Sequence, residues 1–232
     1  GSGLVGSEMC IRDREGLRKA NEEKPDLIVS DVMMPLMSGM EMCMKIKNNI
    51  DLCHIPVVLL TALDSVEYNI EGLQQGADDY ISKPFHAKVL LMRCNNLIRN
   101  RLLLKSQLTK QVDFDVQLLA TTSLDQQLLN RIVEIVDQRM GEPDFDVNAL
   151  ARELNMGRSS FFTKVKNLTG MTPSEFMQNQ RINRAATLLR EQPDLLVNEI
   201  SDRLGFSSTV YFSRCFKAKF GVSPAQFRKK EQ

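Results

Sequence analysis

The sequence predicts an α/β domain, built on an incomplete doubly wound parallel sheet, followed by an all-helical domain. Three observations carry this. Short β-rich runs alternate with helical patterns over residues 14–105, as in βα units whose parallel strands are covered on both faces. An internal repeat with an offset of 51 occupies residues 146–232. The charge is also divided: residues 145–232 carry 14 basic against 8 acidic side chains and residues 111–144 carry 2 against 7, in a 232-residue chain of net charge +1.

Composition excludes several classes. A chain 43% hydrophobic and 25% charged has material for one or two globular cores and is not disordered. No apolar run reaches the roughly 18 to 20 residues that span a bilayer, so no membrane contact is expected. Five cysteines without a CxxC pair and only two histidines argue against a disulfide framework or a zinc site. Reduced thiols suit a cytoplasmic location. A basic end behind an acidic connector fits a polyanion partner, and on charge alone fits a merely solvated basic face equally.

The elements follow in order. Residues 1–14, "GSGLVGSEMCIRDR", have little periodicity and no continuous apolar stretch of a signal peptide; they resemble translated sequencing-adaptor readthrough and are set apart as a non-native leader. "REGLRKANEEK" reads as a helix stopped by Pro25, and "DLIVS" as a buried strand. "GMEMCMKIKNN" is helical, "IPVVLLTA" a second strand, "SVEYNIEGLQQG" a further helix, and "ADDYISKPF" a short strand before a long helix from Ala87. Ligands of such sheets sit beyond the carboxyl ends of the strands, where this chain places Asp31, Thr61 and Lys83. A carboxylate nucleophile, a hydroxyl and an ammonium at one edge suit a phosphoryl group. Taken singly, each also has an ordinary reading: Asp31 as a helix cap, Thr61 as strand filler, Lys83 as a solvated lysine.

"DVMMPLMSGME", with Thr61 thirty residues after Asp31 and Lys83-Pro84 twenty-two after Thr61, resembles the receiver domain of two-component response regulators, a flavodoxin-like fold. The resemblance implies that a histidine kinase phosphorylates Asp31, that Mg2+ bridges the carboxylates and the phosphoryl oxygens, that Thr61 and Lys83 bind the phosphoryl group, and that Tyr80 rotates inward as a switch. It also implies a cis Lys83-Pro84 bond. A complete receiver begins with a strand, an acidic pair that binds Mg2+, a helix and a second strand, for which residues 1–14 leave no room. The first strands and the acidic pair are therefore expected to be missing, leaving Mg2+ only Asp31 and the Met33 carbonyl, weakly held or not at all. Phosphorylation of such a chain is expected to be poor.

Towards the C-terminus, "SLDQQLLNRIVEIVDQRMG" reads as a helix with Ser123 and Gln126 as a capping box and a stripe of Leu124, Leu128, Leu129 and Ile132. In the repeat, Gly170-Met171-Thr172-Pro173-x-x-Phe176 recurs as Gly221-Val222-Ser223-Pro224-x-x-Phe227. Each copy reads as helix, tight turn, helix, the grammar of a helix-turn-helix unit whose second helix enters the DNA major groove. Between the copies, Thr172, Pro173 and Glu175 start a helix of about 18 residues, roughly 27 Å long, near the roughly 34 Å between successive major grooves. Helical spacing turns Phe161, Val165, Leu168, Phe212, Cys215 and Phe216 to the core. It leaves Arg158, Ser159, Phe162, Thr163 and Lys166, then Ser208, Thr209, Ser213, Arg214 and Lys217, as candidate DNA contacts. Arg214 suits a bidentate guanine contact and Phe162 a thymine methyl, while Lys164, Lys166, Lys217 and Lys219 suit phosphates.

"ISDRLGFSSTVYFSRCFKAKFGVSPAQFRK" resembles the AraC-type DNA-binding domain. Together the two resemblances divide the chain into leader 1–14, truncated receiver 15–105, linker and connecting helix 106–145, and AraC-type domain 146–232. They imply a phosphorylation-controlled transcriptional regulator, like the C-terminal part of hybrid two-component regulators, with double-stranded DNA, a histidine kinase module and a second copy of the chain as partners. Two other readings remain open: a DNA-binding protein that uses the truncated receiver only to dimerise, and a phosphohydrolase with Asp31 as nucleophile.

Overall fold

The computed structural model describes residues 13–62, 76–110, 115–142 and 144–231. The chain divides into two compact units, residues 1–101 and 102–232. In the first, α1 (Asp13–Glu23), β1 (Ile28–Asp31), α2 (Gly39–Lys47), β2 (Val57–Thr61) and β3 (Asp79–Ser82) are followed by α3 (Ala87–Lys110), whose last residues belong to the second unit. The three strands are parallel in the order β1-β2-β3. The helix expected over residues 65–76 lies almost wholly outside the described residues, as do residues 1–12 of the expected leader.

The strand order follows from burial. Val57, Val58 and Leu59 of the central strand are fully buried, as expected for a strand covered on both faces. One face packs on α1 and α2 through Ala20, Cys43, Ile46 and Leu59. Beneath the sheet Lys47 is 7% exposed and its ammonium lies 2.6 Å from Asp78 Oδ2. It also donates to the Ile55 carbonyl at 2.9 Å, and Asp78 accepts from the Val57 amide and from Arg101. A buried ammonium with this many acceptors is compensated, and removing Asp78 would cost about 3–5 kcal/mol.

The second unit is helical. A 3-10 turn (Val116–Leu119) precedes α4 (Ser123–Arg139), then α5 (Val147–Glu153), α6 (Arg158–Thr169), α7 (Pro173–Glu191), α8 (Val197–Arg203), α9 (Thr209–Phe220) and α10 (Pro224–Glu231). Residues 106–145, expected to be linker and connecting helix, fall in this unit, and Leu129, Ile132, Ile135 and Val136 of α4 are buried in its core. The cap of α4 is one residue earlier than expected: Thr122, with β-region backbone, accepts the Asp125 amide. α7 starts with the expected capping box of Thr172 and Glu175.

The two helix-turn-helix copies, α5–α6 and α8–α9, share one core with α4 and α7. Phe161, Val165 and Leu168 of α6 and Phe212 and Phe216 of α9 are buried, each large side chain contributing about 1.5–3 kcal/mol. Phe216 meets Phe220 and Phe227 edge-on at 4.6 and 5.3 Å. Gly205, in the turn before α9, has φ +69, and a Cβ there would lie 2.4 Å from the Met140 carbonyl oxygen. Gly221 has a similar φ of +74 but open space. Gly221→Ala is therefore expected to cost about 1–2 kcal/mol, the left-handed penalty alone, and Gly205→Ala clearly more, as read by urea unfolding of each variant. Equal losses would contradict the backbone contact.

Candidate functional site

Two clusters carry chemistry, one at the sheet edge and one on the recognition helices. β1 ends at Asp31, whose register partner is Leu60, so Thr61 ends β2 one step further on; Thr61 pairs with Ser82, which puts Lys83 just past the end of β3. The parallel register thus brings the expected edge residues to the same end of the sheet. Asp31 and Lys83 meet in an ion pair, with side chains 35% and 39% exposed. Asp31 Oδ1 also accepts the Met33 amide at 3.2 Å. The Lys83-Pro84 peptide is cis. Thr61 is buried, at 1% exposure. Tyr80 of β3 packs against the core on the α2 side of the sheet.

Gly39 makes this edge possible. The start of α2, capped by Ser38 and Glu41, presses on the end of β1, and the Gly39 amide donates to the Val32 carbonyl at 3.0 Å. A Cβ at Gly39 would stand 2.1 Å from the Asp31 carbonyl oxygen, so no larger residue fits without moving Asp31. For a divalent ion the edge is less complete. Among the described residues no group of three His, Cys, Asp or Glu side chains could hold a metal, and Asp31 is already engaged by Lys83 and the Met33 amide. Asp31 and the Met33 carbonyl do not by themselves fit Mg2+.

On the recognition helices, Arg158, Ser159, Phe162 and Lys166 of α6 are exposed and Thr163 is half-buried. Ser208, Arg214 and Lys217 at α9 are exposed, with Thr209 and Ser213 half-buried. Ser208 is the N-cap of α9, its hydroxyl accepting the Tyr211 amide at 3.3 Å. Two expected phosphate contacts are corrected. Lys164 is buried at 1% exposure because it lies on the apolar face of α6 with Phe161, Val165 and Leu168; its ammonium is 2.7 Å from Asp125 Oδ1 of α4. Lys219 turns toward α7, donates to the side-chain oxygens of Asn179 and Asn183, and has its pKa pushed down by burial to about 8. Cys215, expected in the core, is half-buried and receives Gln178 Nε2 at 2.8 Å.

Two residues escaped the sequence reading. Val210 is 81% exposed at the start of α9, four residues before Arg214 and so on the same helical face. The Tyr211 ring is exposed and carries the Arg214 guanidinium, 5.3 Å from its centroid, a cation–π arrangement. The spacing of Val210, Arg214 and Lys217 was available as a signal.

Residues 8–95 match the family model of the response regulator receiver domain, beginning inside the expected leader, and residues 150–230 match that of a helix-turn-helix domain. Over 212 residues, 91% of this chain, the sequence is 43% identical to histidine kinase P4 of Formosa agariphila, of which the match covers 15%. Response regulator MprA of Mycolicibacterium vanbaalenii is 41% identical over 92 residues, 40% of this chain and 39% of that protein. The chain thus spans well under half the length of these two curated relatives. The C-terminal domain of AraT, a response regulator from Geobacillus stearothermophilus, is 27% identical over 44% of this chain and 84% of its own, with a TM-score of 0.41.

The Gly39 contact yields a prediction. Gly39→Ala is expected to destabilise the N-terminal unit by about 1–3 kcal/mol, as overpacking does, and to shift the backbone amide resonances of Asp31 and Val32. Unchanged resonances at both residues would contradict the close approach.

Proposed function

We propose that this chain, which joins a response-regulator receiver domain to an AraC-type helix-turn-helix domain, is a transcriptional regulator that accepts a phosphoryl group on Asp31 and binds double-stranded DNA through α6 and α9. One observation carries the DNA half: the two copies bury matching apolar faces in a common core and leave the corresponding opposite faces open. At the 51-residue offset, Ser159, Thr163 and Lys166 correspond to Val210, Arg214 and Lys217, and all are exposed except half-buried Thr163. In this reading Arg214, held flat by Tyr211, reads guanine, and Val210 and Phe162 meet thymine methyls. Lys166 and Lys217, with Arg158, Ser159, Thr163, Ser208, Thr209 and Ser213 around them, contact phosphates or base edges.

At the sheet edge, a carboxylate oxygen of Asp31 attacks the phosphorus of a phosphohistidine, the P–N bond breaks, and the imidazole leaves. Lys83 then moves from the carboxylate to a phosphoryl oxygen, Thr61 supplies a hydroxyl to another, and Tyr80 reports the change toward the core. The chain is here an acceptor rather than a catalyst. Receiver domains generally bind Mg2+; here Asp31 and the Met33 carbonyl would be its ligands, and the described residues add no carboxylate cluster to complete the site. The partners of this reading are DNA, a histidine kinase module in the same or another polypeptide, and a second copy of the chain, acting in the cytoplasm. No helix among the described residues is long and apolar enough to cross a membrane.

Two measurements test the two halves. Arg214→Ala is expected to relax sequence preference at one base pair by about 1–3 kcal/mol, while Lys217→Ala weakens all sites alike and lowers the salt slope by about one. Fluorescence anisotropy on a selected site across a salt series reads both, and equal, salt-independent losses would contradict the assignment. Labelling by an acyl-phosphate donor is expected to be slow and to disappear in Asp31→Asn. Label retained in that variant would place the acceptor elsewhere.

A further inference from the structure

The two helix-turn-helix copies diverge in chemistry on the inward face of the second helix. Lys164 of α6 corresponds to Cys215 of α9. Cys215 is half-buried and touches Gln178 of α7, the helix between the copies. Lys164 instead pairs with Asp125 in the first turn of α4, at 2.7 Å and with both side chains at zero exposure. Asp125 also accepts the Thr121 hydroxyl at 3.1 Å, and its amide is held by Thr122. The positive end of a helix favours a carboxylate in its first turn. A fully buried ion pair is nevertheless a poor way to gain stability, since well-packed apolar residues of similar volume often do as well or better. What it supplies is a tether: with both charges cut off from water, each is compensated only while α6 stays packed on the first turn of α4.

The other end of α4 is fixed to the second copy. A Cβ on Gly205 would lie 2.4 Å from the carbonyl oxygen of Met140, the C-cap of α4, and a Cβ on Gly141 would lie 2.5 Å from the Arg203 carbonyl oxygen. Backbone thus meets backbone at the turn between α8 and α9. The same end also touches the first copy, where Arg139 pairs with Glu153 of α5. Over its 17 residues, roughly 25 Å at about 1.5 Å each, α4 therefore joins the recognition helix of one copy to the turn of the other. It runs alongside the covalent spacer α7 as a second strut.

We propose that α4 belongs to the DNA-reading apparatus, and that the Asp125–Lys164 pair is a positioning contact that sets α6 in its groove at a defined distance from α9. This rests on the DNA-binding reading above. Neither residue touches DNA in this proposal; both act through the placement of α6.

The full chain is tested on a DNA site selected from a random pool and on two derivatives, each with one half-site scrambled. Asp125→Asn, which leaves a buried ammonium without its carboxylate, is expected to lose at least tenfold affinity for DNA that depends on the α6 half-site, with a smaller loss on DNA that depends on α9. The Asp125→Leu/Lys164→Met double variant restores an apolar core. It is expected to melt at or above the wild-type temperature and yet prefer a different spacing between half-sites when selected afresh. A folded double variant that keeps the wild-type spacing and both half-sites would overturn the proposal. So would a double variant that fails to fold, because the pair would then be a requirement of folding. Absence of sequence-selective binding by the wild-type chain is a different result, and it would count against the DNA-binding reading itself.

Discussion

A helix that commits one face to a shared core has only its other face to offer a partner, and this constraint acts twice in the C-terminal unit. Phe161, Val165 and Leu168 turn α6 inward, and Phe212 and Phe216 do the same for α9. Because both helices bury into one core rather than two, the direction of one open face is tied to that of the other. α7 ties them through the chain and α4 through packing. The aromatic contacts of Phe216 with Phe220 and Phe227 stiffen the second copy, where the first has the buried ion pair. Similar backbones are thus held by different chemistry, as expected when a duplicated unit adapts to unequal neighbours.

The N-terminal unit uses the same economy of placement on a sheet. Parallel register carries Asp31, Thr61 and Lys83 to one edge without any of them having to reach. Gly39 lets α2 close against that edge. Lys83 lies against Asp31 as its counter-ion. The buried Lys47–Asp78–Arg101 network lies away from this chemistry, anchors β2 and the start of β3 to α2 and α3, and is a structural feature.

Most of this was legible in the sequence where a residue's environment is set by its nearest neighbours in the chain. Strands ending at Asp31 and Thr61, the capping box at Thr172, and the repeat at an offset of 51 all depend on local pattern. The failures share a cause. Lys164 and Lys219 were read by charge as surface groups, although Lys164 stands three residues after Phe161 and four before Leu168, a spacing that places it on the core face. Its partner Asp125 likewise precedes Leu128 and Leu129 by three and four residues. A charge on an apolar stripe signals a buried pair only once the opposite stripe is known, and that is a property of packing. Val210 was overlooked for the converse reason: an apolar residue suggests the core, while the helix phase set by Arg214 and Lys217 turns it to solvent. The Thr122 cap differed by one residue from the expected Ser123 because either hydroxyl suits the position.

In the proposed DNA-binding reading, a single chain presents two groove readers at a fixed separation. Hydroxyl-radical footprinting of the full chain on a selected DNA duplex tests it most directly. Two protected patches on one face of the duplex, about 10 bp apart, are expected, both present at the lowest concentration that gives any protection. One isolated patch, or two that fill independently as concentration rises, would contradict it.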